Sequence, residues 1–462
     1  MMVPVADRGT RLSNRLRVPP PLIKQRLPSG RGATEQPNNA DDGEAALTAR
    51  FWVALVATGV AAGLLGALMM WILYSVEHVA FDFHAGSVLA GASRLHGWRR
   101  IAPLLAGGAF GGVAWWLLRR LTPGEHSEID DSLWRHNGLL SFRRSLGTSV
   151  ISIVVVGSGA SIGREAAPKL LGGASASRIA GWLGLTPPQR RLLVACGGGA
   201  GLACVYNVPL AGATFTAEIL CGSVVLPTLL PALLCSLVAT ITAWVYLPDH
   251  ATYLNIPSYH LKATLLVWSL VIGPIVGILA AAYIRLLGWL SHRRIRGPRS
   301  IPAVFATVAL VGVVGLRYPQ VFGNGQDLAH AAFLGGYALG LLAILAVLKP
   351  LLTVLVLGGG ASGGLLTPTL STGAALGGFL GLAWSQLWPG SPAGAFAMVG
   401  AAAMVGSSME APLTGLILVP ELTHTGFGIL VPMMVATLLA TIVVRYVDGY
   451  SIYSARLPAE DA

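Results

Sequence analysis

Long apolar runs constrain this chain more than any other feature of its sequence. They cover residues 51–73, 224–247, 263–284, 333–348 and 429–444. A helix needs about 20 apolar residues (roughly 17–25) to cross a bilayer, and only the last two runs fall a little short. Only 11% of the residues are charged, against about 25% in soluble domains. The runs therefore predict an all-α polytopic membrane protein.

The positive charge of the chain lies mainly at the ends of apolar runs. The net charge is +11, and the basic clusters fall at 119–120, 143–144, 190–191 and 292–299. Loops on the cytoplasmic side of a membrane protein have this distribution. The charge therefore indicates a lipid bilayer as the partner rather than nucleic acid.

The four cysteines lie inside apolar segments and lack the spacing of metal ligands. They are Cys196, Cys204, Cys221 and Cys235. Cysteines in such positions behave as small core residues. The sequence therefore predicts neither a disulfide framework nor a metal site.

Residues 1–47 differ in composition from the rest of the chain. The first 31 residues hold seven basic side chains against one acid, Asp7, and no apolar stretch of a cleavable signal peptide follows them. We expect a disordered basic tail held in the cytoplasm. Residues 48–457 would then form one transmembrane domain of the plasma membrane, with both chain termini cytoplasmic.

A glycine-rich motif at residues 156–168 places Arg164 and Glu165 side by side among small apolar residues. A carboxylate at membrane depth costs about 2.5–3.5 kcal/mol on insertion scales, so it usually faces a cavity, a pathway or a partner. Glycines followed by a helix start offer free N–H groups and a positive dipole end, which together attract anions. The alternative is a helix-packing seam in which the two charges neutralise each other.

The second half of the chain repeats the first. The pattern P-L-x-G at Pro209, followed by Glu218, recurs 203 residues later at Pro412 with Glu421. Residues 165–168 are echoed 200 residues later by 365–368. Repeats of broken helices at corresponding positions indicate a substrate site at the membrane midplane. We therefore predict an inverted-repeat helical bundle, with repeats at about 51–247 and 261–446 and broken helices at a midplane anion site.

The second glycine-rich helix start, at 358–368, presents the backbone amides of Leu365 and Leu366. Two positive helix ends that converge at one depth form an anion site without a full positive charge. Transport favours such a site because an ion that binds too tightly is not released.

Four motifs in order resemble those of the CLC family of chloride channels and chloride/proton antiporters. Gly163-Arg164-Glu165 is similar to the family's G-R-E-G-P helix start, and residues 364–368 are similar to its G-x-F/L-x-P motif. Residues 412–421 resemble its A-P-L-T-G helix, and residues 451–455 resemble the C-terminal segment with the pore tyrosine. The resemblance covers about residues 50–457 and is of the bacterial type, without C-terminal regulatory domains.

This resemblance implies a function and a set of residues. Glu165 would be the gating glutamate of a pathway for chloride or a similar small anion. The implied anion-binding residues are Gly163, Arg164, Leu365, Leu366 and Tyr453. It also implies a homodimer with one pathway per subunit, no cofactor and no enzymatic activity.

The chain departs from the family pattern at two functional positions. An ungapped correspondence places Gly124 where the family has its anion-binding serine, with Ser127 nearby. Ile219 stands where antiporters often have a second acid, which leaves Glu218 as the candidate for a proton path. The sequence thus leaves open a channel or a proton-coupled antiporter that uses another route.

A function of another class fits one short pattern. Gly159-Ala-Ser161-Ile-Gly163 matches G-x-S-x-G, the nucleophile motif of serine hydrolases. That motif requires a strand–turn–helix setting and a histidine partner, and the surrounding sequence predicts helices. An intramembrane serine hydrolase is therefore kept as the alternative, beside a membrane scaffold that transports nothing.

Overall fold

The computed structural model describes residues 45, 47–83, 87–125 and 128–457. The predicted N-terminal tail lies almost wholly outside these residues, and so does Ser127. The described chain is helical, and the short turns between its helices position the candidate site.

The helices form two series with the same order. The first series is α1 (Ala49–Phe81), α2 (Val88–Arg94), α3 (Trp98–Leu121), α4 (Ile129–Arg135), α5 (Phe142–Gly157), α6 (Ala166–Trp182), α7 (Pro187–Tyr206), α8 (Pro209–Phe215) and α9 (Leu226–Ala243). The second series is α10 (Ala263–His292), α11 (Ser300–Arg317), α12 (Gln326–Phe333), α13 (Leu339–Gly358), α14 (Leu366–Trp384), α15 (Ala393–Ser408), α16 (Pro412–Thr423) and α17 (Leu430–Val447).

Seven helical segments of the described chain are long and apolar enough to cross a membrane. They are Ala49–Phe81, Trp98–Leu121, Leu226–Ala243, Ala263–His292, Gly297–Arg317, Leu339–Gly358 and Phe427–Val447. The prediction of an all-α polytopic membrane protein is confirmed. Five of these segments overlap the long apolar runs of the sequence, and the other two, Trp98–Leu121 and Gly297–Arg317, each include residues of a basic cluster.

The apolar run at 333–348 does not form one helix. Helix α12 ends at Phe333, a turn with Gly335 at φ +72° follows, and α13 begins at Leu339. Helix α13 then continues past Lys349 to Gly358. The apolar run stops before Lys349 because that residue is charged, but it lies within the helix and its side chain is fully buried.

The breaks before α6 and α14 have the same local cause. Helices α5 and α13 are each followed by a glycine in the left-handed region, Gly159 at φ +108° and Gly360 at φ +116°. The N–H of the next residue donates a hydrogen bond to a carbonyl of the preceding helix in each case, from Ala160 to Val155 and from Ala361 to Val356. Glycine tolerates this conformation without steric cost, so one helix can end there and the chain can change direction before the next helix begins.

The two series correspond element by element, apart from α2. Helix α6 packs on α7 as α14 packs on α15, and α1 packs on α9 as α10 packs on α17. An antiparallel bridge joins the equivalent residues Gly163 and Gly364. At that point the two halves run in opposite directions, in agreement with the predicted inverted repeat.

The repeated acids cap each other's helices across the two halves. The Glu218 carboxylate accepts from the N–H of Thr414 (2.6 Å) and of the residue before it (3.0 Å) at the start of α16. The Glu421 carboxylate accepts from the N–H of Ala211 (2.7 Å) and of the residue before it (2.9 Å) at the start of α8. A negative charge at a helix N-terminus satisfies free donors and the helix dipole.

We expect Glu421→Gln and Glu218→Gln each to destabilise the fold by about 1–2 kcal/mol, the usual scale for a lost helix cap. The measurement is thermal unfolding of the purified protein in detergent, with the exposed Asp249 changed to Asn as the matched control. An unfolding temperature equal to that of the control would contradict the capping role.

Candidate anion site

The site lies where the starts of α6 and α14 meet. Gly163 donates its N–H to the carbonyl of Gly364, and Gly364 donates to the carbonyl of Gly163, both at 2.8 Å. This reciprocal pair fixes the two glycine-rich turns against each other. The free N–H groups in the first turns of α6 and α14 therefore face the same space.

The Glu165 carboxylate lies in that space and is buried, with 3% of the residue exposed. Its Oε1 accepts from the N–H of Leu366 at 2.6 Å. Its Oε2 accepts from the hydroxyl groups of Tyr206 (3.2 Å) and Thr367 (3.3 Å). The carboxylate of the first helix start is thus held by donors at the second.

Gly163 and Gly364 form the walls around this carboxylate. A Cβ built on either residue would collide with the side-chain oxygens or Cδ of Glu165. The N–H of Gly163 is already taken by Gly364. Gly163 was predicted as an anion-binding residue, but its amide is not free for an anion. Its lack of a side chain instead leaves room for the Glu165 carboxylate.

A cavity of about 40 Å³ adjoins the carboxylate. Its lining includes Glu165, Leu365, Leu366 and Tyr453, which the sequence analysis had assigned to one site. The remaining lining residues are Asp130, Ala166, Lys169, Leu202, Phe215, Gly363, Gly364 and Arg456. A cavity of this size is large enough for a water molecule or a comparably small occupant.

The Arg164 side chain lies outside this lining. Its guanidinium carbon is 4.8 Å from the centre of the Tyr206 ring, and its Nη1 is 3.5 Å from the Tyr74 hydroxyl. A cation over an aromatic face is attracted by the ring quadrupole. The guanidinium therefore supports the ring whose hydroxyl holds Glu165, and only the backbone of Arg164 stays at the helix start.

Gly124, predicted as an anion ligand, does not line this cavity. Gly124 lies at an exposed turn with φ +71°, and a Cβ there would meet nothing within 4 Å. The cavity is instead lined from this part of the chain by Asp130 of α4. Counting back from Glu165 without gaps reaches the exposed turn after α3, whereas the cavity is lined by the following helix, α4.

Glu218 and its neighbours do not line the cavity either. The Glu218 carboxylate is held by α16, and Ile219 is 7% exposed within a π-helical turn at Thr216–Leu220. The hydroxyls of the neighbouring Thr214 and Thr216 donate to carbonyls of their own helix. The structure therefore offers no open polar connection from these residues to Glu165 among the described contacts.

The sequence analysis missed three residues that surround the carboxylate: Lys169, Asp130 and Tyr206. Lys169 and Asp130 line the cavity, and Tyr206 donates to Glu165. The available indication was the charge of Lys169 within an apolar helix, one turn after Glu165. Asp130 and Tyr206 gave no comparable indication, because only the fold brings α4 and the end of α7 to this place.

A buried lysine supports the turn before α6. The Lys349 ammonium donates to the hydroxyl of Ser161 (3.0 Å) and to the carbonyls of Val321 (3.1 Å) and Gly323 (2.7 Å). Ser161, the serine of the hydrolase-like pattern, is fully buried in a helix–turn–helix setting. Its hydroxyl accepts a hydrogen bond from the Lys349 ammonium, so these contacts stabilise the turn before α6.

Among the described residues, no group of three potential ligands could hold a metal ion.

Comparison with known proteins agrees with this architecture. The sequence model of the voltage gated chloride channel family matches residues 110–445. The voltage-gated ClC-type chloride channel ClcB of Salmonella typhi is 32% identical over 412 residues, which cover 86% of this chain and 97% of that protein. A putative chloride channel protein ClcB-like from Ralstonia nicotianae is 30% identical over 384 residues, 80% of this chain and 88% of that one. The chain belongs to the voltage gated chloride channel (CLC) family.

Two solved structures have the same fold. One is a slow cyanobacterial Cl⁻/H⁺ antiporter, with a TM-score of 0.77 and 23% identity over 88% of this chain and 97% of that chain. The other is a CLC-type fluoride/proton antiporter, with a TM-score of 0.68, 23% identity and the same coverage of both chains.

Proposed function

We propose that this protein transports chloride or a similar small anion across the membrane, through a pathway gated by Glu165. Family membership supports anion transport as such. The observation that carries the assignment of the gate is the Glu165 carboxylate on the Leu366 N–H, beside a cavity between two helix starts.

A carboxylate oxygen and a small anion compete for the same donors. The Leu366 N–H lies at the positive end of α14, where a negative charge is stabilised. With the side chain seated there, an anion has to displace it. When Glu165 takes up a proton, its charge-assisted hydrogen bond is lost and the side chain leaves more readily. Displacement of this side chain is therefore the gating step.

The next anion ligands in this scheme are the backbone amide of Leu365 and the hydroxyl of Tyr453. Both residues line the cavity. Neutral donors suit conduction because binding stays weak enough for release. The backbone amide of Arg164, at the start of α6, is a further anion ligand in this scheme.

The remaining parts of the proposal concern the whole molecule. We place it in the plasma membrane with both termini cytoplasmic, as the basic loops favour. We assign it no enzymatic activity, and a homodimer with one pathway per subunit. The exposed apolar side chains of α9 and α17, such as Leu237 and Ile442, provide a surface for the second subunit.

The direct test is chloride efflux from proteoliposomes that contain the purified protein. Efflux above that of protein-free vesicles is expected, with chloride binding measurable by calorimetry. Vesicles that release no chloride, fluoride or nitrate above the protein-free rate would overturn the proposed function.

Proton coupling is expected to be weak or absent. Ile219 cannot relay a proton, and the Glu218 carboxylate is occupied by the amides of α16. The measurement is uphill proton movement driven by a chloride gradient in proteoliposomes, read with a pH-sensitive dye. Robust pumping at a fixed stoichiometry would contradict this expectation and favour the antiporter alternative. Loss of that pumping in Glu218→Gln, with chloride efflux retained, would assign the relay to Glu218.

A further inference from the structure

Lys169 is a charged side chain at the cavity that the proposed gate does not use. It lies on α6 one helical turn after Glu165, so both residues occupy the same face of the helix. A Glu–Lys pair at this spacing often forms an ion pair. Here each reaches another element instead: Glu165 contacts Leu366, and Lys169 contacts Asp130 of α4.

The contact of Lys169 with Asp130 leaves the ammonium donors available. The distance from Nζ to Oδ2 of Asp130 is 3.6 Å, longer than a hydrogen bond. Among the described residues we find no hydrogen-bond acceptor for this Nζ, although a lysine ammonium has three donors. The charge is stabilised in part by the rings of Tyr453 and Phe215, whose centres lie 4.6 Å and 5.6 Å from Nζ.

A second cation lines the same cavity with donors to spare. Arg456 is a lining residue, and its Nε is buried without a hydrogen-bond partner. The cavity thus brings two cations, Lys169 and Arg456, together with two carboxylates, Asp130 and Glu165. The positive charge there is compensated as long as both carboxylates remain in place.

We propose that the Lys169 ammonium is a direct ligand of the transported anion in this cavity, and that Asp130 is the counter-ion it exchanges for that anion. The proposal rests on the proposed function and specifies one of its binding groups. An isolated fixed cation would hold an anion too tightly for transport. A carboxylate 3.6 Å away competes for the same charge and so weakens anion binding.

Each charge therefore has an opposite effect on anion affinity. We expect Lys169→Met to raise the dissociation constant for chloride roughly tenfold or more, and Lys169→Arg to preserve most of the affinity. We expect Asp130→Asn to lower that constant about threefold or more and to slow efflux, because the cation then has no competitor.

The experiment measures chloride binding by calorimetry and chloride efflux from proteoliposomes for each variant. Arg178→Met is the matched control, because Arg178 lies on the same helix with its side chain exposed. The double variant Lys169→Met with Asp130→Asn removes both members of this ion pair, so neither is left without its partner. It keeps the test valid if the single lysine variant does not fold, and it is expected to bind chloride as weakly as Lys169→Met.

The outcomes separate the two proposals. A wild-type protein that moves no anion overturns the proposed function. A wild-type protein that transports chloride, with Lys169→Met or the double variant binding it within twofold of wild type, overturns the role of Lys169 alone. Weaker binding in Lys169→Met and tighter binding in Asp130→Asn, with no change in Arg178→Met, support the exchange of partners.

Discussion

Replacing Glu165 with Gln is expected to leave chloride transport in place and to abolish its dependence on pH. Gln keeps the shape of the side chain but has no carboxyl group to protonate. It also loses the charge-assisted part of its hydrogen bond to the Leu366 N–H, worth about 1.5 kcal/mol. Chloride should therefore bind roughly tenfold more tightly in the variant.

This prediction is checked by chloride efflux from proteoliposomes between acidic and neutral pH, together with calorimetric chloride binding. Glu410→Gln is a suitable control, because Glu410 lies outside the cavity and pairs with Arg445. A Glu165→Gln protein that conducts with the same pH profile as wild type would remove Glu165 from the gate.

Replacing Gly364 with Val is expected to abolish chloride binding, with a loss of more than about a hundredfold in affinity. A Cβ at this position would collide with the Glu165 side chain. Because Gly364 is hydrogen-bonded to Gly163 in both directions, the backbone cannot move aside without breaking the contact between the two helix starts. Chloride binding by calorimetry is the readout.

Gly181→Val provides the comparison for this variant. Gly181 lies on α6, and a Cβ there meets nothing within 4 Å, so binding should remain near that of wild type. Thermal unfolding of both variants separates a blocked site from a collapsed fold. A folded Gly364→Val protein that binds chloride with unchanged affinity would place the anion elsewhere.

Several predictions from the sequence depended only on local patterns. The apolar runs predicted membrane-spanning helices because span length is set by bilayer thickness. The glycine-rich turns predicted broken helices because glycine alone adopts the left-handed conformation without cost. Glu165 and Leu366 belong to short motifs at corresponding places in the two repeats, Tyr453 was assigned from the resemblance to the CLC family, and the structure places all three around one cavity.

Other features were inaccessible from the sequence because they join residues distant in the chain. Tyr206 reaches Glu165 across 41 positions, and Glu218 reaches Thr414 across 196. The second contact makes Glu218 a cap of α16. No periodicity reports such a contact, since it depends on how α8 and α16 are oriented against each other.

The sequence by itself thus determined the kind of protein, its repeat and the two helix starts, because lipid and backbone stereochemistry act on every short segment alike. The tertiary structure decided which charges share the cavity. Asp130 and Lys169 lie 39 positions apart, and only the fold brings their side chains to 3.6 Å. A buried charge needs a partner wherever the fold provides one, so its environment is fixed by packing rather than by its neighbours in the chain.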